Sequence, residues 1–222
     1  MFIKVNGIDL FYEKSGQGSP IILLHGNGED HRIFDILTKD LASNYTVYQI
    51  DSRDHGQSSQ VKSLDYESMA EDIAAFIQSL QIEKALLYGF SDGGIIGLLL
   101  AIKYKNMLSK LIISGANIRP DGLKNFIRIL MKTAYFLTRN RKLKLMLTQP
   151  HITEESLHNI VTPTYILAGS NDLIKDEHTR MIAANIKNSV LQILPGENHA
   201  SYVTHSAKLY HIIKPFLDET II

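Results

Sequence analysis

Three side-chain types in this chain, a serine, an aspartate and a histidine, could together activate a nucleophile and break an acyl bond. A serine hydroxyl is a poor nucleophile until a neighbouring base takes its proton, and the base works best when a carboxylate orients it. Ser91 lies in Gly89-Phe90-Ser91-Asp92-Gly93-Gly94. That is a G-x-S-x-G turn, in which the serine sits strained at the apex and the flanking glycines let the chain reverse without a Cβ clash. Asp172 follows the apolar run 164–168 through Gly169-Ser170-Asn171, and His199 follows 190–194 through Pro195-Gly196-Glu197-Asn198. The chain order is Ser91, Asp172, His199, with Asp172 as the expected acid and His199 as the expected base. Asp121 is the reserve carboxylate. His205 and His211 fall at or on the last helix and read as packing or surface residues.

The second requirement of such chemistry is a pair of donors for the negative charge that develops on the carbonyl oxygen. A helix beginning at Asp92 points its unpaired N–H groups and positive dipole end toward Ser91. A second donor is expected from His25-Gly26-Asn27-Gly28, where the glycines allow a backbone N–H to turn inward. The expected oxyanion pair is therefore the N–H of Asn27 and the N–H of Asp92.

The elements that must position these residues follow from periodicity. Alternation around Asn6-Gly7 predicts an N-terminal antiparallel hairpin. Continuous apolar runs at 20–24, 45–50, 85–88, 108–114, 163–168 and 190–194 predict strands buried on both faces. Helical spacing predicts helices over 30–42, 65–80, the stretch after Ser91, 175–186 and 206–218. Strands alternating with helices imply a mainly parallel sheet with helices on both faces, and ligands in such sheets gather beyond the carboxyl ends of the strands.

Composition narrows the function classes. The 222 residues hold 23 Lys+Arg, 23 Asp+Glu and no cysteine. A net charge of zero supplies no bulk field for nucleic acid, and without cysteine there is no disulfide framework, thiol nucleophile or thiolate metal site. The N-terminal stretch lacks the apolar core of a signal peptide, and no run is long enough to span a bilayer. A cytoplasmic protein without stable membrane insertion, nucleic-acid partner or cofactor, acting on a small molecule, is the simplest expectation.

On these motifs the chain resembles the serine branch of the α/β-hydrolases. The match covers nearly the whole length: the hairpin, His25-Gly26, the Asp51–Ser58 turn, Gly89–Gly93, Asp172 and His199 occur in order. The resemblance implies an eight-stranded, mostly parallel sheet with helices on both faces (1–116 and 161–222) and a short helical cap at 117–160. It also implies a Ser91–His199–Asp172 triad. The Asp51 turn resembles D-x-R-G-x-G-x-S, except that Asp54 replaces a glycine, a position aspartate tolerates better than most residues. The Ser-Asp pair resembles that of biphenyl-hydrolase and valacyclovirase-type enzymes. In those, an acid beside the nucleophile can meet a substrate ammonium, so Asp92, with Phe90 on the other side of Ser91, is a candidate substrate contact.

The implied activity is hydrolysis of a small ester or related acyl compound through an acyl-enzyme. The same machinery would serve a diketone carbon–carbon hydrolase or a lyase, and a non-catalytic binding protein is the alternative from another class. The 117–160 segment carries eight cationic against three acidic residues, a net of +5 in a chain of net zero. Lys124, Arg128 and Lys132 lie opposite Phe126, Ile127, Leu130 and Ala134, which predicts a lid helix with an apolar underside and a solvated cationic outer face.

Overall fold

The computed structural model describes residues 1–219. Its centre is a sheet of eight strands in the order β1-β2-β4-β3-β5-β6-β7-β8. Strands β1 (Phe2–Val5) and β2 (Ile8–Ser15) form the N-terminal hairpin, and β2 pairs antiparallel with β4 (Tyr45–Ile50). Asn6 and Gly7 both have positive φ (46° and 78°), as a tight hairpin turn requires. The remaining strands, β3 (Ser19–Leu24), β5 (Ala85–Phe90), β6 (Leu108–Ser114), β7 (Thr164–Asn171) and β8 (Ser189–Asn198), run parallel with one another and with β4.

Residues alternate between the two faces of these strands, and each face buries a separate core. Ile22, Leu24, Leu87, Ile113 and Ile166 pack beneath helices α2 (Tyr66–Ser79), α3 (Asp92–Lys103) and α7 (Asp176–Ala184). Ile21, Leu23, Tyr88, Ile112 and Leu167 pack beneath α1 (Asp35–Leu41) and α8 (Lys208–Asp218). Apolar burial on both sides is what a parallel sheet with crossover helices demands.

Three local expectations are corrected. The helix predicted over 30–42 starts as a 3-10 turn, His31–Phe34, before α1. The His31 backbone N–H and ring Nδ1 both bind Asp51 Oδ1 at 2.8 Å, which holds that turn tight. Strand β8 continues through Pro195 and Gly196 to Asn198 instead of stopping at 194. β8 lies at the sheet edge, and Pro195 falls where its register with β7 shifts, between the Leu194–Gly169 and Asn198–Asn171 pairs, a place that tolerates a residue without an N–H.

The third correction concerns the helix after β6. Between β6 and β7 the chain forms α4 (Asn125–Thr138), α5 (Arg141–Thr148) and the short α6 (Glu154–Leu157). The covered side of α4 is Ile127 and Met131, which pack with Leu123, Ile174, Leu143 and Met146, whereas Phe126 and Leu130 remain exposed.

Candidate active site

Five strand ends build the site. Each of His25, Ser91, Gly115, Asp172 and His199 is the first residue after a strand: β3, β5, β6, β7 and β8 respectively. Because the strands are parallel and hydrogen-bonded neighbours, these residues share one rim of the sheet.

Ser91 has φ 52°, ψ −113°, a conformation that non-glycine residues rarely hold. Packing enforces it. Ser91 N–H donates to Ser114 O, the Ser91 carbonyl accepts from Gly94 and Ile95, and Gly93 N–H donates to His25 O. A Cβ on Gly89 would lie 2.2 Å from the Gly93 oxygen, and one on Gly93 would lie 2.1 Å from the Leu24 oxygen. Strand, elbow and helix can approach this closely only with glycine at both positions.

The Ser91 Oγ lies 3.1 Å from His199 Nε2, and His199 Nδ1 lies 2.7 Å from Asp172 Oδ1. Asp172 also accepts from the backbone N–H of Ile174 at 3.0 Å and of Gly169 at 3.4 Å. Burial alone would raise its carboxyl pKa, but the His199 bond and these N–H donors outweigh it, so the carboxyl is held below its ordinary range. The reserve acid Asp121 is exposed and pairs with Arg119. His205 and His211 are exposed as well.

Neither the Asn27 N–H nor the Asp92 N–H has a protein acceptor among the described residues. Asn27 and Ser91 line the same cavity, and Asp92 follows Ser91 at the start of α3. The Asp92 side chain departs from expectation. It is 4% exposed and lies outside the pocket lining, with Oδ1 accepting from Tyr66 OH and Oδ2 from Asn27 Nδ2, both at 2.8 Å. Burial pushes its pKa up to about 6 against these two bonds. This corrects the expectation that Asp92 would meet a substrate ammonium: the carboxylate is enclosed and both oxygens are engaged. Phe90 does line the pocket, its ring centroid 5.0 Å from that of His199.

Sequence reasoning missed what three residues do here. A Cβ on Gly115, which has φ 61°, would lie 2.6 Å from His199 Cε1, so the imidazole rests directly on this backbone. Its place immediately after β6 was the available signal. Glu29 accepts from Gly26 N–H at 3.0 Å and donates its own N–H to Gly26 O, closing the loop that carries Asn27; burial raises its carboxyl pKa. His25 is buried. The Ser52 N–H donates to His25 Nε2 at 3.0 Å, so Nδ1 carries the hydrogen and donates to Gly26 O at 2.8 Å. This histidine ties the Asn27 loop to the turn after β4, where Asp54 takes the left-handed conformation (φ 64°) of the glycine it replaces.

Above Ser91 lies a cavity of about 370 Å³. Gly26, Asn27, Glu29, Ser91 and His199 form its polar end, and Leu123, Ile127, Leu130, Met131, Leu143 and Met146 supply apolar wall. Such a site suits a carbonyl held at the polar end with an apolar group toward α4 and α5. The one cluster of metal-capable side chains among the described residues, Asp30, His31 and Asp51, lies outside this cavity lining. Its oxygens already accept from Arg32, His31 and Gln57.

A sequence model of the alpha/beta hydrolase fold matches residues 19–144. The human serine hydrolase BPHL is 26% identical, over 97% of this chain and 85% of its own length. The AB hydrolase superfamily protein YisY of Bacillus subtilis is 37% identical over 49% of this chain, and the match spans only 42% of that protein. Among solved structures, an esterase from Exiguobacterium antarcticum superposes with a TM-score of 0.87 at 21% identity, over 98% of this chain and 99% of that one.

Proposed function

This chain belongs to the alpha/beta hydrolase fold family, and from that premise we propose that it is a serine hydrolase cleaving a small ester or related acyl compound through an acyl-enzyme. The observation that carries the reading is the unbroken hydrogen-bond relay Ser91–His199–Asp172, at 3.1 and 2.7 Å. His199 Nε2 takes the Ser91 proton as Oγ attacks the acyl carbon. Asp172 keeps the ring in the tautomer with hydrogen on Nδ1 and stabilises the imidazolium that forms. The carbonyl oxygen, now negative, receives the free N–H groups of Asn27 and Asp92.

Collapse of the tetrahedral species expels the alcohol, which leaves with the proton from His199 Nε2. Water then attacks the acyl-Ser91 bond with His199 again as base, and the acid departs as Ser91 regains its proton. Residues 117–160 act as the cap: Ile127 and Met131 of α4 and Leu143 of α5 hold the apolar part of the acyl group.

Labelling with a fluorophosphonate tests this directly. Wild-type protein is expected to be labelled at Ser91 and to hydrolyse p-nitrophenyl esters, and Ser91→Ala is expected to do neither. Labelling that persists in Ser91→Ala, or wild-type protein inert to both probes, overturns the reading.

A further inference from the structure

The described chain exposes nine large apolar side chains, and five of them, Phe126, Ile129, Leu130, Phe136 and Leu137, belong to α4. Each is between 64% and 74% exposed. Ile129, Leu130 and Leu137 follow Phe126 by three, four and eleven residues and so share its face, with Phe136 alongside. The opposite side, Ile127 and Met131, is already committed to Leu123 and Ile174. An apolar stripe of this length on a soluble surface needs a partner.

Two observations say which partner. The α4–α5 hairpin carries Arg128, Lys132, Arg139, Arg141, Lys142 and Lys144 and no acidic residue. Of these six, only Arg141 forms an ion pair among the described residues, with Asp54. A second copy presenting the same face would set Arg128, Lys132 and Arg139 against their own counterparts, so the charge favours an anionic surface. The second observation is continuity. Leu130 belongs to the exposed stripe and also lines the cavity above Ser91, so the stripe runs into the lip of the pocket.

We propose that the exposed face of α4 docks on an anionic lipid surface, with its apolar residues at the headgroup boundary and Arg128, Lys132 and Arg139 on the headgroups. Docked in this way, the pocket opens at Leu130 toward amphiphilic esters dissolved in that surface. The substrate half of this inference rests on the hydrolase reading; the docking half does not.

The test is cosedimentation of wild type and Ser91→Ala with vesicles of equal parts phosphatidylcholine and phosphatidylglycerol, against vesicles of phosphatidylcholine alone. Both proteins are expected to bind the anionic vesicles preferentially and to be released by salt. Substituting Phe126, Ile129 and Phe136 together by serine is expected to lower partitioning by at least about tenfold. The pair Arg128→Gln and Lys132→Gln is expected to lower it by roughly fivefold per charge. Both variants should turn over p-nitrophenyl acetate in solution as the wild type does, which shows that they are folded.

Equal binding to both vesicle types, or retention by the serine variant, overturns docking. So does a wild-type dimer that the serine variant dissolves, because a second copy then owns the face. Sedimentation with no ester turnover by the wild type supports docking and removes only the hydrolase reading; turnover without sedimentation removes only docking.

Discussion

The rim of the sheet and helix α4 are held by opposite means. At the rim, His25, Ser91, Asp92, Asp172 and His199 are each tied by hydrogen bonds to another strand end, loop or helix, and glycines at 89, 93 and 115 permit contacts that no side chain could share. Helix α4 rests on a small cluster, Leu123, Met131 and Ile174, with a few half-buried neighbours, and turns five large apolar residues outward, whereas α5 buries Leu145 in the main core and is tied by Arg141 to Asp54. The difference teaches where each kind of change is tolerated. In the proposed reaction the reacting groups need a geometry that packing over-determines, whereas the outward face of α4 can be altered without disturbing the hydrogen bonds of the rim.

Removing the relay should give the largest contrast between the two regions. His199→Ala is expected to lower ester turnover on the order of 10⁶-fold, and Asp172→Asn on the order of 10⁴-fold, because in the proposed mechanism the acid orients and stabilises without itself receiving the nucleophile's proton. Steady-state hydrolysis of a soluble p-nitrophenyl ester measures both. Wild-type turnover in Asp172→Asn would mean that the 2.7 Å contact holds the loops together and has no part in proton transfer.

Much of the rim was legible from local pattern. An apolar run, a glycine-flanked serine and an apolar helix lie within seventeen consecutive residues, and Asp172 and His199 each sit just past a recognisable strand. What stayed illegible depends on which elements meet. The direction of the Asp92 side chain is set by Tyr66 on α2 and Asn27 on another loop, 26 and 65 residues away. Gly115 matters only because the His199 ring lies on it. On α4, apolar positions cover most of the helix, so spacing alone could not say that Ile127 and Met131 would be covered and Phe126 would not.

Asp92 sharpens the comparison at a smaller scale, since a buried carboxyl at the rim should register in stability with pH. Its pKa rises from 3.8 to about 6 on folding, so the native state holds the proton more tightly than the unfolded chain does. The stability this group contributes is fully present below about pH 4 and is lost as pH climbs through about 6. Asparagine does not titrate. Urea unfolding at a series of pH values should therefore show Asp92→Asn gaining on the wild type between those values and levelling above them, by roughly 3 kcal/mol at most. A difference that stays flat across this range would mean that the carboxyl titrates as if exposed.

The smallest effect belongs to the outward face of α4. Ile129 is 66% exposed and lies outside the cluster that anchors α4, so Ile129→Ser removes little packing from the isolated protein. Replacing a β-branched residue by serine in a helix changes propensity only slightly, and the expected shift in unfolding free energy is within about 0.5 kcal/mol. Denaturant midpoints at two protein concentrations measure it. A loss above about 1 kcal/mol that grows with concentration would mean the face is already covered in solution by another copy. Helix α4 would then be packed surface like the rim, and the contrast between the two regions would fail.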